Sequence, residues 1–279
     1  MKEDFIRFKQ YYQESAKKVP QDEFYHGSIM HKFKHSVDVL HMGQRIMKET
    51  PELNDRTEEF TVLAEKALLF HDVGRFEEAV KRCDAEQKGI LIKASSNQYD
   101  HGEIGYNELK NVADYNDLRV LFAVRYHGKM MEDVFASDMW QEVLKSPNKD
   151  DVLKILYLVR DADKLANLWV IKEDNHLCKD TFYQQLTKEA LNAPISSEVM
   201  KQFLEKKVVL FPTVYSFADA ILRVLSWIFD LNYQKTIDIF VSKKYGEFLL
   251  SELAKYHKDK KDLADIREMM NAHFFGMLK

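Results

Sequence analysis

Leu68-Leu69-Phe70-His71-Asp72-Val73-Gly74-Arg75 is an apolar run that closes on an adjacent histidine and aspartate and then breaks at glycine. Upstream, Phe60, Leu63, Ala64, Ala67 and Leu68 recur at steps of three and four, and His71 falls at the next step of that helical stripe. Its imidazole should point inward. Asp72 lies about 100° further round, but at a helix end both side chains can approach one centre. Burying an imidazole beside a carboxylate is costly unless something offsets their desolvation, which a divalent cation does directly. Alone, the pair also fits a core histidine next to a helix-terminal aspartate.

Spacings of three and four continue through most of the chain, with 9 glycines and 5 prolines in 279 residues, and no strand pattern of useful length occurs. The expected fold is all-α, with helices near 3–17, 32–48, 56–72, 101–111, 117–127, 134–144, 150–173, 180–191, 197–206, 214–230, 234–243, 245–257 and 261–274. The polar stretch from Cys83 to Tyr99, with Gly89 and Ser95-Ser96-Asn97, reads as a loop over a site. Breaks at Asn192-Ala193-Pro194 and Phe211-Pro212 set off a C-terminal helical part. Its apolar run Phe217, Ile221, Val224, Leu225, Ile228 is expected to pack on the first part.

A composition of 46% hydrophobic and 31% charged residues is that of a soluble globular protein, and a net charge of −4 gives no general attraction for nucleic-acid polymers or anionic membranes. Cys83 and Cys178 form no CxxC pair, which argues against a disulfide framework or a cysteine-zinc site. The N-terminus has no signal-peptide apolar core, and the longest apolar stretch, Val208 to Leu231, contains Pro212, Asp219 and Arg223. The expected location is the cytoplasm.

Further chemistry-bearing residues sit on similar stripes. His35 extends Val39, Met42 and Ile46; His31 shares its face at a spacing of four and is a rival ligand, while His41 lies on a more polar face. His127 closes the stripe Val120, Ala123, Val124 just before Gly128. His101 opens a helix in Asp100-His101-Gly102-Glu103, where Asp100 can cap; an exposed first-turn histidine is the plain alternative. Asp161 stands in the apolar row Leu158, Leu165, Leu168 and demands a partner, whereas Asp163 faces with Arg160 and Asn167 and reads as solvated or salt-bridged. Lys164 could pair with either aspartate or reach a substrate.

The ordered set His35, His71-Asp72, Asp161, closing in Asp161-Ala162-Asp163-Lys164-Leu165, resembles the HD-domain metal-dependent phosphohydrolases over residues 20–175. His71-Asp72-Val73-Gly74-Arg75-Phe76, Asp100-His101-Gly102-Glu103-Ile104-Gly105, Tyr126-His127-Gly128-Lys129 and Leu225-Ser226-Trp227-Ile228-Phe229-Asp230-Leu231-Asn232 are similar to one bacterial-type branch of that superfamily. The resemblance implies a helical HD core, with 1–19 and 176–279 as helical extensions packed on it. It implies one metal on His35, His71, Asp72 and Asp161, and a second on Asp72, His101 and His127, with Asp72 the catalytic bridge. The cofactor would be one or two divalent ions among Fe, Mn, Mg, Co, Ni and Zn. The site, at a net charge of about +2, would suit a bridging hydroxide and a small phosphorylated substrate such as a nucleotide. Arg75 and Lys129, each just beyond a ligand, are phosphate contacts on this reading, or else solvated residues or helix-dipole partners. No Gly-Tyr-Pro signature follows His127, which speaks against cyclic di-GMP. The same ligands also resemble HD-fold di-iron oxygenases, and a catalytically silent nucleotide sensor is a third class.

Overall fold

A computed structural model describes residues 1–22, 24–90, 99–173 and 187–277, with side chains through 274. Ser95-Ser96-Asn97, Cys178 and most of the helix expected over 180–191 lie outside the described residues. The described residues are helical with no strand, and they divide into two compact units, 1–166 and 167–279, whose boundary falls within one helix.

The first unit contains α1 (Lys2–Ala16), α2 (Tyr25–Glu49), α3 (Pro51–Asn54), α4 (Glu58–Phe70), α5 (Gly74–Gln87), α6 (His101–Leu109), α7 (Leu118–Tyr126), α8 (Met131–Phe135), α9 (Asp138–Lys145) and the first part of α10 (Lys149–Glu173). Thr57 starts α4 by accepting a hydrogen bond from the Phe60 amide at 3.2 Å. Four consecutive residues of α4, Ala67 to Phe70, are fully buried, because α1, α2 and α7 surround the helix. Phe8 of α1 meets Phe33, Phe70 and Phe76, each with ring centroids 5.4 Å apart, so an aromatic cluster anchors α1, α2 and α5 beneath the end of α4.

Ion pairs bring the starts of three helices together. Arg119 of α7 donates to Glu59 of α4 at 2.6 Å, and Arg56 donates to Asp151 of α10 at 3.1 Å, with Arg119 itself 3.8 Å from Asp151. Twelve helical residues, about 18 Å of rise, then separate Glu59 from His71 and Asp151 from Asp163. Helices α4 and α10 therefore deliver these side chains to one level.

Two expectations are corrected here. Gly74 does not end helical structure; it begins α5, which runs through Cys83 to Gln87, so the first part of the expected loop is helix. The glycine serves close packing: a Cβ there would lie 2.6 Å from the Gly105 amide nitrogen and nearer still to the His101 carbonyl oxygen. Likewise a Cβ on Gly102 would run into the Arg125 carbonyl. These glycines let α6 settle between α5 and α7.

The second unit contains α11 (Lys188–Asn192), α12 (Ser197–Leu204), α13 (Phe217–Leu225), α14 (Gln234–Ser242), α15 (Tyr245–Tyr256) and α16 (Lys260–Met277), with short 3₁₀ turns at Phe211–Thr213 and Ser226–Asp230. Ser216 and Asp219 form a reciprocal capping box that starts α13. Phe217, Ile221, Val224 and Leu225 are buried in this unit, where α13 packs on α15. No described helix is long and apolar enough to cross a membrane.

Candidate metal centre

Two helices end in the same way. His71 caps the C-terminus of α4 and its Nδ1 bonds the Leu68 carbonyl at 2.9 Å; His127 caps α7 and its Nδ1 bonds the Val124 carbonyl at 3.0 Å. A carbonyl only accepts, so each Nδ1 carries the proton and each Nε2 keeps its lone pair. The two rings meet edge to face, centroids 5.0 Å apart.

Asp72 lies between them, buried, with its two oxygens turned to different neighbours. Its Oδ2 is 3.7 Å from His71 Nε2 and 3.1 Å from Lys32 Nζ. Its Oδ1 is 3.5 Å from the Nε2 atoms of both His101 and His127, and 3.5 Å from Arg75 Nε. His101 reaches this point as the first residue of α6, whose first turn is capped by Asp100 accepting from Gly102 at 3.0 Å. His35, buried on α2, bonds Asp163 Oδ1 through Nε2 at 2.8 Å, and that oxygen is 3.8 Å from His71 Nε2.

Two donor sets result, His35, His71, Asp72 and Asp72, His101, His127, each with its ligand atoms within 4.8 Å of one another. They share one carboxylate. His71 Nε2 is buried with no hydrogen-bond partner, and His127 Nε2 faces His101 Nε2 at 3.2 Å as well as the carboxylate. Electron-rich atoms aimed at a common space repel unless a cation lies among them, so the residues fit divalent metal.

The electrostatics keep these donors in ligating form. Burial pushes the His71 imidazole down to about 4 from an ordinary 6.5, against the attraction of Asp72. Burial, aided by Arg75, likewise lowers His101 well below the usual histidine range. Burial alone would raise the Asp72 carboxyl, but its neighbours, Lys32 first, then His71, His127 and Arg75, hold it well below the usual carboxylate range. The Asp163 carboxyl is lowered too: burial opposes this and is outweighed by His35 and His71.

Of the residues singled out from the sequence, His35, His71, Asp72, His101 and His127 come together, and Asp161 does not join them. The carboxylate at His35 is that of Asp163. Two positions apart on a helix place side chains about 200° apart, so the two aspartates of α10 cannot serve one centre. Asp161 is fully buried and has interactions of its own. Helix α10 is buried on nearly every side, so an apolar row could not single out the side facing the site. Val152, Leu156 and Val159, all fully buried, form an equally good row that leads to Asp163.

Arg75 is held between Asp72 and Glu78, the latter at 2.8 Å, and Lys129 pairs with Asp100. His31 stacks beside His35, centroids 6.4 Å apart, outside both donor sets, and His41 is exposed. Lys164, buried, donates to the Arg160 carbonyl at 3.3 Å. Two contributors had not been singled out. Lys32 lies one helical step before His35. Arg160 donates to the carbonyls of His127 and Lys129 at 2.8 and 2.6 Å and clamps the chain where His127 leaves α7.

In this all-helical domain a His-Asp pair meets histidines and an aspartate from four other helices, an arrangement that could hold metal. Residues 33–168 match the family model of the HD domain, and this segment belongs to the HD metal-dependent phosphohydrolase superfamily. The matched segment spans His35 through Asp163. No curated protein and no solved structure matches the chain.

Proposed function

We propose that the protein is a metal-dependent phosphohydrolase that cleaves a phosphate ester of a small molecule, such as a nucleotide, in the cytoplasm. The observation that carries this reading is the carboxylate of Asp72, whose two oxygens address two separate histidine sets. His35, His71, Asp72 and Asp163 would hold one divalent ion, and Asp72, His101 and His127 a second. Bound divalent ions supply an acidified water at neutral pH and countercharge for phosphoryl oxygens. The chain's own part is to present neutral imidazoles and ionised carboxylates with fixed orientation. The Leu68 and Val124 carbonyls hold the His71 and His127 rings, and Arg160 steadies the turn behind His127. Hydrolysis breaks the P–O bond to the alcohol, joins the oxygen of water to phosphorus and leaves a proton on the departing alcohol. No side chain need act as nucleophile. Arg75, which lies beside Asp72, and Lys129 would contact phosphate oxygens if a substrate competed for their present carboxylate partners.

The test is elemental analysis of protein purified without chelator, comparing the wild type with His71→Ala and Asp72→Ala. A phosphatase screen over nucleotides, sugar phosphates and cyclic nucleotides with several divalent ions then follows. The expected result is metal in the wild type, its loss in both variants, and hydrolysis of one substrate class. Equal metal content in all three proteins overturns the proposal, as does an iron-dependent reaction that consumes oxygen.

A further inference from the structure

We propose, building on the hydrolase reading, that Lys32 is a substrate-binding residue that pairs with the phosphoryl group, and that the site selects a phosphate monoester dianion over a diester. Lys32 lies on α2, three residues before His35, so its ammonium and the His35 ring rise from the same face of the helix. Its Nζ is 3.1 Å from Asp72 Oδ2, the oxygen that turns to His71. The side chain is 27% exposed, so the ammonium sits where the buried donors meet solvent. Among the described residues Lys32 has no other carboxylate within ion-pairing distance.

This placement has a consequence for the loaded site. The oxygen that Lys32 holds belongs to a donor set for a cation, and both cannot keep it at full strength. A cation at Asp72 deprives Lys32 of its counter-charge while leaving it on the solvent side of the centre. The group it then needs is an anion arriving from solvent. Arg75 differs, because it keeps a second carboxylate, Glu78 at 2.8 Å, when a cation takes Asp72.

Charge decides the kind of anion. With Asp72 and Asp163 ionised and four imidazoles neutral, two divalent cations leave about +2, and Lys32 raises this to about +3. A monoester dianion gains roughly twice the Coulomb attraction that a diester monoanion does. A monoester also leaves three terminal oxygens for the cations and the ammonium to share.

The test is isothermal titration of the manganese-loaded protein with inorganic phosphate at mildly alkaline pH, where it is a dianion, and with dimethyl phosphate, a monoanion. Manganese titration of the metal-free protein accompanies it. Lys32→Gln should weaken phosphate binding about tenfold or more, the worth of one charge-assisted hydrogen bond. Manganese should bind the variant at least as tightly as the wild type, because the competing ammonium is gone. Lys32→Arg should keep phosphate affinity within about threefold. Unchanged phosphate affinity in Lys32→Gln overturns the assignment, and so does a parallel loss of manganese affinity, which would make Lys32 a prop for Asp72. Dimethyl phosphate binding as well as phosphate overturns the substrate class. A wild type that takes up no manganese or other divalent ion removes the hydrolase reading itself, an outcome distinct from these.

Discussion

Replacing Gly74 by alanine should empty one metal position and spare the other. The added Cβ would lie 2.6 Å from the Gly105 nitrogen, where ordinary contact begins at 3.4 Å, and closer still to the His101 carbonyl oxygen. Both obstacles are backbone, so α6 must retreat by at least about 0.8 Å. Metal sites accept errors of about 0.2 Å in ligand distance, and His101 moves with the first turn of α6. The donors His35, His71, Asp72 and Asp163 lie outside α6 and keep their positions. Alanine also favours helix over glycine by at most about 1 kcal/mol, and an overpacked contact costs about 1–3 kcal/mol, so the net destabilisation should be about 1–2 kcal/mol. Gly43→Ala is the control: its obstacles are side-chain carbons of Leu68, and it should lower stability without selective metal loss. Metal content by mass spectrometry, beside urea denaturation, gives the readout. A Gly74→Ala protein with the full metal content and stability of the wild type would refute the packing argument.

The two aspartates of α10 separate cleanly. Asp163→Asn should weaken binding of the first ion by on the order of a hundredfold, whereas Asp161→Asn should leave it within about threefold; metal titration showing the reverse would restore Asp161 as the ligand. In metal-free protein, His71 binds its proton at about 4 when folded and near 6.5 when unfolded. Its contribution is therefore present above about pH 6.5 and lost as pH falls through about 4, up to roughly 3 kcal/mol for a shift of this size. Asp72 and Asp163, also lowered, extend the loss to more acid pH. Denaturation of chelator-treated wild type and His71→Gln across this range should show the gap in pH dependence between them; identical curves would contradict it.

The fold class was legible because apolar steps of three and four dominate the chain, and His71 and His127 were legible because each closes such a stripe at a helix end. His101 was ambiguous, since its position depends on Gly74 and Gly102, and a glycine that permits close approach reads in sequence like one that breaks a helix. The same ambiguity hid α5 behind an apparent break. Asp163 was passed over because periodicity identifies a buried side of a helix only when another side is exposed, and α10 lacks that contrast around the site. Lys32 and Arg160 left no sequence signal: one is defined by an oxygen of Asp72, the other by backbone carbonyls behind His127. Contacts with single atoms of distant segments have no period.

The carbonyl-bound rings at the ends of α4 and α7 bear on the protons exchanged during metal uptake. In many metal sites thiols or charged imidazoles must shed protons as the ion enters, which ties affinity steeply to pH. Here His71 and His127 each commit one ring proton to a carbonyl and offer an unprotonated nitrogen. The deprotonation cost at His71 has already been met by folding, through burial. Closing the two helix ends thus leaves the ion little acid to displace from these rings near neutrality, and the site's sensitivity to acid becomes a property of the folded chain as much as of the metal.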